Sequence, residues 1–343
     1  MEKQAVSRNY SIDNLKAVLM VCVVLIHVVL CLDHGRILSV THQFMLIFTM
    51  PCFVFLSGYL SKGILKDGKF HWERVFSMLW MYVFFKLVWF ALEYICKGEA
   101  KFDLLTVASS PWYLLALSIW YLLVPILIAF PKKYVIISTV LIGIFSGYIS
   151  IFSTFLSLSR VLVYLPFFTI GLLLEKEQME FFTRRNLRLP ALAILLLIVF
   201  WFIFLFDKIW VFASLYYGEY PYEQIMSEEF VPYGGLVRTL VFLLAGIISM
   251  CLLAIVPKRK VFFSYVGKNT LAVYILHALI RNVLEYKGVF KWINETISQT
   301  QMLWVVPVVI VATLFIGNPL FGKMFDFILN PFKFFQKRDL KRK

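Results

Sequence analysis

The chain has 343 residues, of which 61% are hydrophobic and only 16% are charged, and its formal net charge is +14 at pH 7. Apolar residues occur in runs of about 20, the length that spans the hydrocarbon core of a bilayer as a helix. No gap between these runs exceeds roughly 30 residues, which is too short for an independent soluble domain. The composition therefore excludes a soluble protein. It predicts an all-α, polytopic integral membrane protein with one domain over residues 1–343.

About ten transmembrane helices are predicted in chain order. Their approximate limits are 14–32, 42–62, 74–96, 112–130, 134–152, 160–175, 189–207, 236–256, 270–287 and 302–322. The ninth of these is the least apolar. The first run is too long for a signal peptide, and no small-residue cleavage pattern follows it, so we expect it to be retained as a helix.

The loops between these helices alternate in charge. One set, together with both chain ends, holds clusters of Lys and Arg and includes a basic tail over residues 324–343; the opposite set contains an acidic loop over residues 208–235. By the positive-inside rule both termini are expected in the cytoplasm, in line with an even number of spans. Because membrane topology explains the net charge, we expect no nucleic-acid partner. The five cysteines show no metal-ligand spacing, and no metal site is predicted.

The first predicted span carries ionisable residues that a membrane helix normally lacks. Lys16 and His27 are eleven residues apart, which places them on nearly the same helix face and about 16 Å apart along the axis. Asp13 lies one turn before Lys16, and His34 would continue the stripe if the helix extended that far. A polar stripe within lipid is costly and normally faces a protein interior or a water-filled cavity.

Further ionisable residues lie within or at the rims of later spans. They are Lys86 and Glu93 on the third, Arg160 on the sixth, Arg238 on the eighth, and His277, Arg281 and Glu285 on the ninth. Each one alone is explained by a snorkelling or paired charge. Together they indicate a hydrated cavity for an anionic or polar ligand. The chain has no phosphate loop, no zinc motif and no nucleophile elbow, so histidine is the obvious proton carrier.

Four stretches, in chain order, resemble motifs of the membrane acyltransferase-3 family. They are DNLK over 13–16 followed after ten residues by His27, TMPCFVFLSGY over 49–59, PWYLLAL over 111–117 and GKNTLAVYILH over 267–277. The matches span most of the chain. Within the family, the sequence is most similar to short members related to sugar O-acetylases and to the O-succinyltransferase of poly-N-acetylglucosamine synthesis.

The resemblance implies a membrane O-acyltransferase that moves an acyl group from cytoplasmic acyl-CoA to a saccharide hydroxyl at the outer face. The expected co-substrate is acetyl-CoA or succinyl-CoA. His27 is the predicted general base, and covalent catalysis through an acyl-histidine stays open. Five residues are predicted to bind the CoA moiety: Lys16, Asp13, Arg74, Lys69 and His71.

One of these residues departs from the family pattern. Many members carry two arginines three residues apart at the start of the third helix. Here Arg74 has a match, but His71 holds the partner position. Guanidinium groups suit phosphate oxygens, so this departure affects how the CoA phosphates would be held. Asp13 is expected to pair with Lys16 or Arg74.

A second set of side chains is predicted to bind the acceptor or the acyl group. They are His277, Arg281, Trp112, Arg160, Arg238, Tyr217 and Tyr220. The two tyrosines lie in the aromatic 208–235 loop, which is either an interfacial aromatic belt or a platform for sugar rings. The arginines could meet the second carboxylate of a succinyl group, so acetyl and succinyl both stay open.

A polytopic exporter or flippase of a saccharide or lipid-linked sugar is the alternative function, and a receptor without chemistry is a third. We expect a multi-pass protein of the bacterial cell (inner/plasma) membrane. Its expected partners are the saccharide or polysaccharide acceptor and membrane lipid. Polysaccharide-synthesis machinery or a second copy of the chain are further candidates.

Overall fold

The computed structural model describes residues 10–106, 110–151 and 154–329. The basic tail predicted over 324–343 thus falls mostly outside the described residues. Fifteen α-helices lie within the described ranges: α1 Ser11–Val29, α2 Arg36–Leu60, α3 Trp72–Lys97, α4 Trp112–Ala129, α5 Lys132–Phe145, α6 Leu158–Leu173, α7 Lys176–Phe182, α8 Arg188–Ile209, α9 Tyr222–Ile225, α10 Gly234–Ile255, α11 Ser264–Lys268, α12 Thr270–Tyr286, α13 Val289–Thr296, α14 Val305–Ile316 and α15 Pro319–Leu329.

A helix lies at the position of each of the ten predicted spans. In the part of the chain that the structure describes, six helices are long and apolar enough to cross a membrane, and α6 with α7, bent by 105°, would make a seventh. The helices at the other three positions, α5, α12 and α14, have 14, 17 and 12 residues. The helical membrane protein is therefore confirmed, whereas the count of ten crossings and the cytoplasmic termini stay predictions.

Helix α1 is surrounded by other helices and packs against α2, α10, α11, α12 and α14. Its start is tied down by Asn14, whose side-chain nitrogen donates to Pro257 O at 2.7 Å and whose oxygen accepts from Ser264 Oγ at 2.6 Å. The helix ends at Val29, so it does not extend far enough for His34 to continue its polar stripe. His34 lies in the following loop, with Nδ1 2.7 Å from Leu32 O.

Close backbone contacts at glycines explain two of the family-like motifs. A Cβ on Gly58 of α2 would lie 2.0 Å from Phe168 O, and a Cβ on Gly171 of α6 would lie 2.0 Å from Phe55 O. Helices α2 and α6 therefore cross with their backbones in contact, as small residues allow in membranes. Gly267 of α11 similarly faces Asp13 O, which a Cβ would approach to 1.7 Å.

A short hairpin that the sequence interpretation did not include connects α2 to α3. Strand β1, Leu65–Lys66, pairs antiparallel with β2, Lys69–Phe70. The two residues between them, Asp67 and Gly68, have φ of 52° and 73°, as a type I′ turn requires, and Asp-Gly is a favoured pair for that turn. The hairpin carries Lys69 and leads directly to His71 at the start of α3.

Candidate active site

His27 faces a cavity of about 250 Å³ that we call the His27 cavity. It is formed by α1, α2, α4, α6, α12 and the loop after α8. Its lining is Val23, Ile26, His27, Leu30, Leu46, Thr49, Met50, Ser110, Trp112, Arg160, Tyr164, Tyr216, Tyr217, Glu219, Tyr274 and Arg281. Four of these, Trp112, Arg160, Tyr217 and Arg281, were among the predicted substrate-binding residues, so the structure brings them to the same cavity as the predicted base.

The His27 ring, which lines this cavity, also lies close to a second histidine. The ring centroids of His27 and His277 are 5.1 Å apart, with the planes tilted by 58°. Within the described ranges, His27 Nδ1 is buried and makes no hydrogen bond. His277 is only 4% exposed and lies outside the lining of the His27 cavity. It was predicted to contact substrate, and it lines a separate, largely apolar cavity of about 330 Å³ that also includes Arg281.

An ion pair between α6 and the loop after α8 forms part of the lining of the His27 cavity. Arg160 Nη2 on α6 donates to Glu219 Oε2 at 2.6 Å, and both side chains are almost buried. The loop that carries Glu219 is held on α6, because Ser159 Oγ donates to Gly218 O at 2.9 Å. Arg160 also lies over the Trp112 ring, 5.2 Å from its centroid. This part of the His27 cavity therefore combines one positive and one negative side chain with the ring of Trp112.

Glu219 keeps one oxygen for a further interaction. Its Oε1 is buried and unpaired in the ranges that the structure covers. Burial raises the pKa of the Glu219 carboxyl, and the Arg160 guanidinium opposes part of that rise. A buried polar atom without a partner costs free energy, so a ligand hydroxyl that donates to this oxygen would be stabilised there.

Lys16 faces a second cavity of about 230 Å³, the Lys16 cavity. Its lining is Lys16, Met20, Val23, Met50, Phe53, Ser57, Leu60, Met78, Tyr113, Leu114, Leu117, Tyr121, Thr270, Leu271 and Tyr274. Lys16 Nζ lies 3.9 Å from Asp13 Oδ1, which agrees with the expected pairing of Asp13. Apart from Lys16, the cavity is lined by apolar side chains and a few hydroxyl groups, including Ser57 and Tyr113, whose oxygens are 2.5 Å apart.

The two cavities adjoin along α1. Val23, Met50 and Tyr274 line both of them. Tyr274 Oη is buried and has no hydrogen-bond partner in the described part of the chain. Lys16 and His27 thus face neighbouring cavities on one side of a single continuous helix, separated by a wall that these three side chains form.

The other predicted CoA-binding residues lie on and after the hairpin, outside the lining of the Lys16 cavity. Lys69 on β2 and Arg74 on α3 are exposed. The Arg74 guanidinium lies over Gly63, where a Cβ would come within 3.2 Å of Nη2. His71 Nδ1 is 2.6 Å from Glu73 Oε1. The histidine in the second arginine position is therefore engaged by a neighbouring carboxylate.

Besides His277, two of the predicted substrate-binding residues, Arg238 and Tyr220, line neither the His27 cavity nor the Lys16 cavity. Arg238 is 1% exposed and donates through Nη1 to Leu215 O at 3.0 Å. Its guanidinium also lies 5.5 Å from the Tyr222 ring centroid, so Arg238 supports the loop after α8 from inside. Tyr220 is half-buried on the same loop. Tyr217, by contrast, lines the His27 cavity.

Sequence reasoning missed Tyr274 and did not single out Glu219. Tyr274 precedes His277 by three residues within the late family-like motif, and residues at that spacing share a helix face. The three-residue spacing from His277 could therefore have identified Tyr274. Glu219 is one of several acidic residues in its loop, and nothing in its spacing distinguishes it from the others.

Residues 9–319 match the acyltransferase domain family Acyl_transf_3. Fold and match together define a multi-pass membrane acyltransferase. The match covers nearly the whole chain, and the protein belongs to the acyltransferase-3 family. Comparisons with curated proteins and with solved structures give no match.

Proposed function

We propose that this protein transfers an acyl group from cytoplasmic acyl-CoA to a hydroxyl of a cell-surface or lipid-linked saccharide, with His27 as the general base. The observation that carries the proposal is the placement of Lys16 and His27 at two adjoining cavities along α1. Donor and acceptor can then approach one imidazole from opposite directions. We take both termini to be cytoplasmic, which would put Lys16 on the cytoplasmic side of His27.

On the donor side, Lys16 would hold a phosphate of CoA and the Lys16 cavity would hold the pantetheine arm. The arm is extended and mostly uncharged, which suits the apolar lining. About 16 Å of helix separates Lys16 from His27, and the arm has a similar reach. We assign Asp13, Arg74 and Lys69 as further contacts to CoA, whereas His71 is already paired with Glu73.

The chemical step needs one proton carrier. His27 takes the proton of the saccharide hydroxyl while the oxygen attacks the thioester carbonyl. The tetrahedral intermediate then expels the CoA thiolate, which receives that proton from the imidazolium. General-base catalysis of this kind contributes about 10²–10⁴-fold. Transfer through an acyl-histidine would use the same side chain and would leave a trappable acyl group on it.

On the acceptor side, Glu219 Oε1 and Tyr217 are the contacts that we assign to the sugar. The carboxylate oxygen accepts a hydroxyl hydrogen bond, and the tyrosine ring offers an apolar face. Trp112 is less suited to stacking, because Arg160 lies 5.2 Å from its centroid and Tyr164 is stacked on it at 5.5 Å. Its ring instead fixes the position of Arg160.

Acetyl fits the His27 cavity better than succinyl. Both arginines that line the cavity have a carboxylate within ion-pair distance, Arg160 with Glu219 at 2.6 Å and Arg281 with Glu285 at 3.7 Å. A succinyl group would bring another negative charge to a site whose charges are matched, and an unmatched buried charge is costly. We therefore assign acetyl-CoA as the donor.

The experiment that tests this function measures acyl transfer by purified protein with acetyl-CoA and a saccharide acceptor. His27→Ala should abolish transfer while the protein remains folded. The matched control is His34→Ala, because that histidine lies outside both cavities. Full activity in His27→Ala would refute the mechanism. Mass spectrometry of surface polysaccharide from cells with and without the protein would identify the acceptor.

The second candidate function is export or flipping of a saccharide or lipid-linked sugar. It is favoured by the same succession of cavities along α1, since a transport path would also need them. Movement of the sugar into liposomes without acyl-CoA would support this function, and transfer that depends on acyl-CoA would exclude it.

A further inference from the structure

His277 has a buried ring nitrogen close to His27 and lies outside the lining of the His27 cavity. His277 Nδ1 lies 2.9 Å from Val273 O, one turn earlier on α12. A carbonyl oxygen can only accept, so Nδ1 of His277 carries the hydrogen. In the neutral ring Nε2 is then a lone-pair acceptor. That nitrogen is buried and unpaired within the described residues.

His27 offers the complementary atom. Its Nδ1 is also buried without a partner in the described ranges, and the two ring centroids are 5.1 Å apart. Each nitrogen lies roughly 1 Å from its centroid, so rotation of the rings toward each other brings the two nitrogens to about 3 Å, a normal hydrogen-bond length. Such a bond would satisfy both orphaned atoms at once, and buried polar atoms are rarely left unsatisfied.

We propose that His277 is a positioning residue that accepts a hydrogen bond from His27 Nδ1 and thereby fixes the tautomer of the general base. The proposal rests on the proposed function and deepens it. With its hydrogen on Nδ1, neutral His27 keeps the Nε2 lone pair for the saccharide hydroxyl. When Nε2 takes the hydroxyl proton, the Nδ1 hydrogen stays bound to His277, whose lone pair stabilises the imidazolium. The proton then leaves with the CoA thiolate.

Other groups near the pair do not supply this acceptor. The charged and titratable side chains that surround His27 are Arg281 on α12, Arg160 on α6, His42 on α2 and Glu219 in the loop after α8. The two arginines only donate hydrogen bonds. The His42 ring lies against His34 and Tyr217, with centroids 6.3 and 6.5 Å apart. The unpaired Glu219 Oε1 lines the His27 cavity, where we assign it to the sugar. His277 is 4% exposed and lies outside the lining of the His27 cavity, so we assign it no direct contact with the substrate.

The test compares His277→Leu with His277→Gln in the acetyl-transfer assay. Leucine removes the acceptor, so kcat should fall by about 10²-fold or more, with little change in the KM for acetyl-CoA. The acid limb of the pH profile of kcat should move to lower pH, because the imidazolium loses its partner. Glutamine keeps an acceptor oxygen and should retain kcat within about tenfold of the unsubstituted protein.

Two results would overturn the proposal: an unchanged kcat in His277→Leu, or a reduced kcat with the acid limb unmoved and no recovery by glutamine. Thermal unfolding of each variant identifies loss of the folded protein, which would lower the yield of active enzyme without moving the limb. If His27→Ala is inactive and His277→Leu is fully active, only this inference fails. If His27→Ala is fully active, the proposed function fails as well.

Discussion

The rate of acyl transfer should depend on the size of one side chain, Val23, at the boundary between the two cavities. Val23 is 6% exposed and lines both the Lys16 cavity and the His27 cavity. In Val23→Phe, a ring would occupy the boundary that the thioester must cross between spaces of about 230 and 250 Å³. A displacement of 1 Å at a reacting centre can cost about 10²-fold in rate. We therefore expect kcat/KM for acyl-CoA to fall by at least about 10²-fold, equivalent to about 2.7 kcal/mol.

The matched control for this substitution is Val21→Phe. Val21 is on the same helix, about 200° around the axis from Val23, and lines a separate cavity with Phe262 and Ile310. Overpacking costs about 1–3 kcal/mol of stability in either variant, so the control corrects for that loss. Initial rates of CoA release and acceptor acylation by purified, folded protein provide the measurement. Wild-type kcat/KM in Val23→Phe, or an equal loss in Val21→Phe, would refute the reasoning.

Three further substitutions separate the acceptor end, the donor end and the fold. Burial raises the pKa of the Glu219 carboxyl, so the KM for the acceptor should rise as the pH falls through that raised pKa and the carboxylate is protonated. Glu219→Gln should remove this pH dependence. A pH profile of the acceptor KM that is the same in both proteins would place the sugar elsewhere. Lys16→Gln should raise the KM for acetyl-CoA but not the KM for the acceptor, and equal effects in a two-substrate rate analysis would count against its phosphate contact. Gly171→Ala should lower the free energy of unfolding by about 1–3 kcal/mol or more, because the added Cβ would meet Phe55 O at 2.0 Å. The control Gly246→Ala, with open space around its Cβ, should not lower it. Equal unfolding temperatures of the two variants would contradict the close crossing of α2 and α6.

The positions of the helices could be predicted because hydrophobic runs are a local property of the sequence. Predicted limits such as 74–96 and 112–130 differ by at most two residues from α3, Trp72–Lys97, and α4, Trp112–Ala129. The hairpin after α2 was missed, because strands of two residues leave no periodic pattern. The short helix α13 was missed for a similar reason, since eight residues contribute too few turns to stand out between longer apolar runs.

The candidate site could be predicted where one helix determines the geometry. Lys16 and His27 are on the same continuous helix, so their separation and shared side follow from helix dimensions alone. The partnership of Arg160 with Glu219 joins residues 59 positions apart and depends on how the loop after α8 folds onto α6. Arg238 shows the converse, because an intramembrane arginine suggested a substrate contact and the structure places it beneath that loop.

The most direct measurement uses proteoliposomes in which the protein has one orientation. Acetyl-CoA is enclosed on the side of the chain termini, and the saccharide acceptor is supplied only on the opposite side. We expect acetylated saccharide to accumulate outside while free CoA accumulates inside, and His27→Ala to give neither product. Acetylation that occurs only when both substrates share one compartment, or saccharide that crosses unmodified, would contradict transfer through the two cavities.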